Sequence, residues 1–250
     1  MLVDTHTHVI SDDFARYPLQ PAALPSAWYR EAPVTAEQLL ALMDEAGVDR
    51  AVLVQPMSAY TYDNNYAADS AAAHPDRFSS VCIVDVADEG ASDRLEYWVK
   101  ERGMDGVRLF TLTDPVATWL GGPAAAAVIE RAVQLGSSVS VLCLADQLPR
   151  LRRTLEQFPE VSVTLDHCAF DPAAVLDLAD HRNLHLKVTT TLLDMSAERG
   201  DDPAGVVAAL AGRFGAHRLV WGSDFSQTHD RPYAELVEFA RSVLAGTGIL

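Results

Sequence analysis

Two histidines two residues apart, His6 and His8, sit in the run Val3-Asp4-Thr5-His6-Thr7-His8-Val9. Its apolar and β-branched residues favour a strand, on which successive side chains point to opposite faces. Asp4, His6 and His8 therefore share one face. Two neutral imidazoles on one face converge well on a single divalent cation, and imidazole is a common zinc ligand. Taken alone, the pair also describes an edge strand with solvated histidines. Further chemistry-bearing residues recur at the ends of later apolar runs: Arg108, Asp166-His167, Lys187 and Gly222-Ser223-Asp224.

For these residues to act together, their strands must bring them to one rim. Apolar runs at 51–55, 80–84, 106–110, 139–144, 161–167, 184–189 and 219–224 predict seven strands after the first. Helical stretches are expected at 36–46, 66–74, 91–102, 124–135, 148–158, 173–179 and 203–214, with a last helix at 233–244. The first is bounded by a capping box, Thr35 with Gln38, and by Gly47. The strand runs are continuously apolar, which indicates burial on both faces and a parallel sheet. Eight strand–helix units in 250 residues match the α/β class and the size of a (β/α)8 TIM barrel, read as one domain over 1–250. A doubly wound sheet would want a glycine-rich loop after the first strand, where His-Thr-His-Val stands instead. Residues 11–33 are rich in proline and aromatics, a length that suits a lid or a binding wall.

In such a barrel the active site lies at the C-terminal strand ends. Asp224 is there the candidate general base, taking a proton from an attacking water and returning it to a leaving alkoxide. His6 and His8 either bind one zinc or donate hydrogen bonds to a carbonyl oxygen as it gains charge. His167 is a third metal ligand or an oxyanion donor, with a core histidine bonded to backbone as the structural alternative. Arg108 either meets a substrate carboxylate or pairs with Asp85, and Lys187 invites the same two readings. Tyr62 and Asn64 are expected to line the pocket, although a packed loop would look the same.

Composition narrows the partners. The formal charge of −16 argues against nucleic acid and anionic membranes, and leaves a small-molecule substrate. An anionic one would need its own local cations. A homo-oligomer stays open. Cys82, Cys143 and Cys168 are odd in number and lie in or beside strands, as buried reduced thiols do. No apolar run reaches membrane-spanning length and no signal peptide precedes the first strand, so a cytoplasmic protein is expected.

The motifs Asp4-Thr5-His6-Thr7-His8, Val54-Gln55-Pro56 with Tyr62-Asp63-Asn64, Gly106-Val107-Arg108, Leu165-Asp166-His167, Leu186-Lys187-Val188 and Trp221-Gly222-Ser223-Asp224 span nearly the whole chain. Together they resemble the amidohydrolase superfamily, in the amidohydrolase-2 branch that includes 2-pyrone-4,6-dicarboxylate lactonase and sugar-lactone hydrolases. The resemblance implies a barrel hydrolase with His6, His8, His167 and Asp224 at the metal and catalytic positions. Many metal-dependent members place a histidine at the end of strand five, where this chain has Cys143-Leu144-Ala145. Arg108 stands where a lysine or glutamate would bridge two metals. The expectation is therefore one divalent metal or none. The reaction expected is the opening of a lactone ring of an acid-bearing or sugar-derived substrate. The alternative is a metal-dependent decarboxylase of an aromatic or enoic acid.

Overall fold

In a computed structural model describing residues 1–114 and 116–249, eight parallel strands pair in sequence order. They are β1 (Val3–Thr7), β2 (Arg50–Val54), β3 (Phe78–Ile83), β4 (Gly106–Phe110), β5 (Ser138–Leu142), β6 (Val163–Leu165), β7 (Leu184–Thr189) and β8 (Leu219–Gly222). The sheet closes where the end of β1 meets the segment after β8. His6 O accepts from Asp224 N at 2.8 Å, His8 N donates to Phe225 O at 2.6 Å, and Thr5 Oγ1 donates to Trp221 O at 2.6 Å. Gly222 permits this approach, because a Cβ there would lie 2.5 Å from His6 Cβ. The backbone seam of the barrel thus runs between the two segments that carry the histidine pair and Asp224.

Two short helices, α1 (Trp28–Glu31) and α3 (Met57–Tyr60), lie at the strand ends, and the others wrap the outside: α2 (Ala36–Ala46), α4 (Asn65–Ala73), α5 (Ala91–Lys100), α6 (Pro123–Leu135), α7 (Leu148–Gln157), α8 (Thr190–Glu198), α9 (Pro203–Phe214) and α10 (Tyr233–Val243). The capping box of α2 forms as its sequence dictates, with Gln38 N donating to Thr35 Oγ1 and Thr35 N to Gln38 Oε1. Gly47 ends it at φ 67°. Val107 and Leu109 in β4 and Leu184 and Leu186 in β7 are fully buried in the main core. Arg108 and Lys187 alternate with them, so their side chains belong to the opposite, inner face.

Three local outcomes differ from the sequence expectation. The strand expected over 161–167 is only Val163–Leu165, because His167, Cys168, Ala169 and Phe170 adopt left-handed φ values of 52°, 45°, 53° and 56°. The helix expected over 173–179 is a tight 3-10 segment, Ala174–Leu178. Helix α8 was hidden by Thr189-Thr190-Thr191, β-branched residues that read as the end of a strand. Residues 11–33 fold over a small second core of Ile10, Tyr17, Trp28, Tyr29, Ala59 and Tyr60. Cys82, Cys143 and Cys168 are buried and free, and burial pushes the Cys82 and Cys143 thiols up to about 12. No helix among the described residues is long and apolar enough to cross a membrane.

Candidate active site

Asp224, just past β8, has φ 61°, a conformation that non-glycine residues rarely adopt. Its Oδ1 lies 3.3 Å from His8 Nε2 and 3.6 Å from His6 Nε2. Its Oδ2 accepts from the Thr191 hydroxyl at the start of α8 and from Gln227 Nε2 at 3.4 Å. One oxygen is therefore fixed and the other is not. Oδ1 and His6 Nε2 are both buried without a hydrogen-bond partner. Buried polar atoms are rarely left so, which makes this pair of orphans a place where a proton, water or cation belongs.

Behind the histidines lies an ionic cluster centred on Asp166. Its Oδ2 accepts from Arg108 Nε at 2.7 Å, and its Oδ1 is 3.0 Å from Lys187 Nζ. Lys187 Nζ also donates to His6 Nδ1 at 3.2 Å, and Arg108 Nη2 to His167 Nε2 at 3.4 Å. Ammonium and guanidinium groups only donate, so these contacts assign the histidine tautomers. The His6 proton sits on Nε2, toward Asp224. The His167 proton sits on Nδ1, donated to Thr189 Oγ1 at 2.7 Å. His8 donates Nδ1–H to Val54 O at 2.7 Å and turns its Nε2 toward Asp224 at 3.3 Å. With His6 and His167 neutral, the Arg108 and Lys187 cations stand against the carboxylates of Asp166 and Asp224.

Burial, reinforced by Lys187 and Arg108, pushes His6 well below the usual histidine value. His167 falls to about 4, through burial that the charges of Asp224 and Asp166 only partly offset. Burial works to raise the Asp224 carboxyl, yet His167, His8 and the Thr191 hydroxyl hold it below the usual carboxylate range. Asp166 behaves likewise, held down by Lys187 and Arg108 against its burial. Both acids are therefore ionised at neutral pH. Asp4 differs: burial raises it to about 6, although it accepts from His6 N, Ser223 N and the Tyr233 hydroxyl at 2.9–3.1 Å. The bond from Ser223 N ties β1 to the Asp224 segment, and that from Tyr233 ties it to α10.

The donor set fits one divalent cation. His6, His167 and Asp224, all buried, bring ligand atoms within 4.8 Å of one another. A cation there would satisfy both orphaned atoms at once, with the His6 proton moved from Nε2 to Nδ1 and Lys187 bonded to Asp166 alone. His8, expected as a further ligand, reaches this group through its contact with Asp224 rather than as one of the convergent three.

Above the cluster a cavity of about 170 Å³ opens between the strand ends and residues 24–28. Trp28 of α1 lies 5.5 Å from the His8 ring, and Phe170 stacks on His167 at 4.9 Å with planes 9° apart. Arg108, His8, His167 and Asp224 reach this cavity. Lys187 does not line it and sits behind His6. Tyr62 and Asn64, expected as pocket residues, do not line it either. Tyr62 borders a neighbouring hollow with Asp85, Thr113 and Asp114. The Asn64 amide is bonded to backbone, donating to Tyr62 O and Ile83 O and accepting from Ile83 N. The ion partner of Arg108 is Asp166, not Asp85. Thr191, Trp28 and Phe170 carry no signal for the site in the sequence. Asp166 stands there beside His167 in an apolar run, but without a role of its own.

An amidohydrolase family model matches residues 3–245. The L-fucono-1,5-lactonase of Burkholderia ambifaria is 27% identical over 241 residues, covering 89% of this chain and 79% of that protein. A Pseudomonas putida structure provisionally designated a 2-pyrone-4,6-dicarboxylic acid hydrolase superposes with a TM-score of 0.75 at 22% identity, over 96% of this chain and 89% of the other. The 5-carboxyvanillate decarboxylase of Sphingomonas paucimobilis gives a TM-score of 0.70 at 16% identity, over 97% and 92%. At such identities the two structures speak for the fold alone. The family match spans nearly the whole (β/α)8 barrel, including every strand that feeds the cavity: this chain belongs to the amidohydrolase family.

Proposed function

We propose that the site opens a lactone ring by attack of a water held at Asp224. The reading rests on one observation above all: Asp224 Oδ1, ionised and buried, has no hydrogen-bond partner beside two histidine Nε2 atoms at the end of an accessible cavity. A carboxylate so placed accepts a proton from water as the oxygen attacks the ring carbonyl. The C–O bond of the ring ester then breaks, and Asp224 returns the proton to the departing alkoxide. Thr191 and Gln227 hold Oδ2 still, which keeps Oδ1 aimed at the water. Without a metal, His6 Nε2–H and the guanidinium of Arg108 are the donors available to the carbonyl oxygen as it gains negative charge; with one, Arg108 alone keeps that role. His167, kept neutral and oriented by Thr189, shapes the same corner.

His6, His167 and Asp224 would hold a single divalent metal, zinc by the nature of the donors. Such an ion supplies Lewis acidity to the carbonyl and lowers the pKa of bound water. A second, bridged metal finds no place, because Arg108 occupies the strand-four position and is paired with Asp166.

The alternative is decarboxylation of an aromatic or enoic acid, a reaction named for one protein of the same fold. A panel of lactones assayed by acid release, run beside a panel of aromatic acids assayed for carbon dioxide, separates the two. Ring opening with one equivalent of acid is expected. Carbon dioxide release without ring opening would overturn the proposal.

A further inference from the structure

Resting on the lactonase reading, we propose that the ring opened here carries an apolar, uncharged body, in place of the sugar hydroxyls or carboxylates expected from the sequence. The first observation is the cavity wall. Met57, Phe110, Leu112, Leu142 and the rings of Trp28 and Phe170 form most of it. A hydroxyl moved from water against such a surface loses its hydrogen bonds and regains none. The wall hydroxyls of Ser58 and of Ser26, whose oxygen already accepts from Trp28 N, and the Gln227 amide, already on Asp224, are too few for a ring bearing several hydroxyls.

The second observation is charge. Among the described residues lining the cavity, Arg108 and Asp224 are the charged side chains apart from the histidines. Arg108 is 3% exposed and paired with Asp166 at 2.7 Å, while Lys187, 6% exposed, is held by the same carboxylate and lies outside the wall. Both cations thus already share the carboxylate of Asp166, and the carboxylate that faces the cavity, Asp224, repels a second anion. A carboxylate on the substrate body would enter an apolar enclosure whose one lining cation is already engaged by Asp166. A metal held by His6 and Asp224 would add its charge where the reacting carbonyl lies and none to the walls. A flat or alkyl-substituted ring meets the opposite situation, since the Trp28 and Phe170 rings offer it aromatic surface.

The test measures kcat/KM by acid release for four lactones: an alkyl δ-lactone, an aromatic-fused δ-lactone, a sugar 1,5-lactone and a carboxylated 2-pyrone. The two neutral, apolar lactones are expected to exceed the other two by at least about ten-fold, the ratio set by one or two unsatisfied polar groups. Preferential opening of the sugar or carboxylated lactone overturns this inference alone. Failure to open any of the four overturns the lactonase reading and the inference with it. Leu112→Arg sharpens the result, because Leu112 is only half-buried and tolerates a longer side chain. It is expected to lower the rate on the alkyl lactone and raise it on the carboxylated pyrone. Unchanged rates on both substrates count against the wall assignment. Leu24→Arg, on the opposite, half-buried lip, supplies the same comparison should Leu112→Arg misfold.

Discussion

Two arginines are almost equally buried in this barrel, and they are used in opposite ways. Arg218, 2% exposed, lies just before β8 and donates to four backbone carbonyls, those of Phe214, His181, Leu184 and Ala179. Its nitrogens are satisfied by the ends of neighbouring elements, and no carboxylate among the described residues pairs with it. Arg108 lies in β4 on the inner face, bonded to Asp166 and to a histidine that faces the cavity. Around Arg218 the donors and acceptors are matched. Around Arg108 the atoms His6 Nε2 and Asp224 Oδ1 remain without hydrogen-bond partners. A saturated polar cluster makes architecture, whereas an unsaturated one leaves room for substrate. The strand ends of the barrel differ in that sense, not in how much charge they bury.

The sharpest break in the comparison comes from Arg218→Leu. Losing four bonds to a charged donor, at no less than about 1.5 kcal/mol each, should cost about 6 kcal/mol or more in urea unfolding. The kcat of the molecules that remain folded should not change. Arg108→Gln should invert the pattern, lowering kcat about 100-fold, equivalent to about 3 kcal/mol, through loss of a carbonyl donor. Equal losses of stability and of kcat in both variants would erase the distinction.

The pH dependence of stability probes the unsaturated end directly. His167 titrates near 4 when folded against 6.5 when free, so the unfolded chain binds the extra proton between those values. That contribution is complete above pH 6.5 and is lost as pH falls toward 4, by about 3 kcal/mol. Asp4 titrates near 6 when folded against 3.8 when free. Its contribution has the opposite sign, being complete below pH 3.8 and lost as pH rises toward 6, again by about 3 kcal/mol. The two slopes oppose each other in the native protein. Asp4→Asn removes one of them, and urea midpoints between pH 4 and 6.5 should then rise with pH more steeply than in the native chain. An unaltered slope would contradict the assignment.

The smallest effect is expected from Thr191→Val, which takes one hydrogen bond from Asp224 Oδ2. A loss of about ten-fold in kcat, about 1.4 kcal/mol, should come with an upward shift in the acidic limb of the pH–rate profile. A fall in kcat without that shift would point to a packing defect instead.

Much of the barrel was legible because buried parallel strands write themselves as continuous apolar runs, and all eight lie within two residues of the expected bounds at each end. The one shortened at both ends, β6, is cut off by four consecutive left-handed residues, none of them glycine, for which no local sequence signal exists. The convergence of His6, His167 and Asp224 was legible too, since period-two alternation and strand-end position are properties of sequence. The network behind them was not. Which carboxylate Arg108 meets depends on strand order and register around a closed sheet, and the nearest candidate in sequence, Asp85, faces another hollow. The apolar wall was equally hidden, because Trp28 and Leu112 come from connections whose paths no periodicity describes.

The account turns on Asp224 acting as the base. Asp224→Asn keeps the size and most of the hydrogen bonding of the side chain while removing its capacity to take a proton. Steady-state ring opening of the preferred lactone, measured beside the melting temperature, should show kcat reduced about 1,000-fold with the melting temperature shifted by only a few degrees. A variant that melts like the native chain and still opens the ring within ten-fold of the native rate would contradict it.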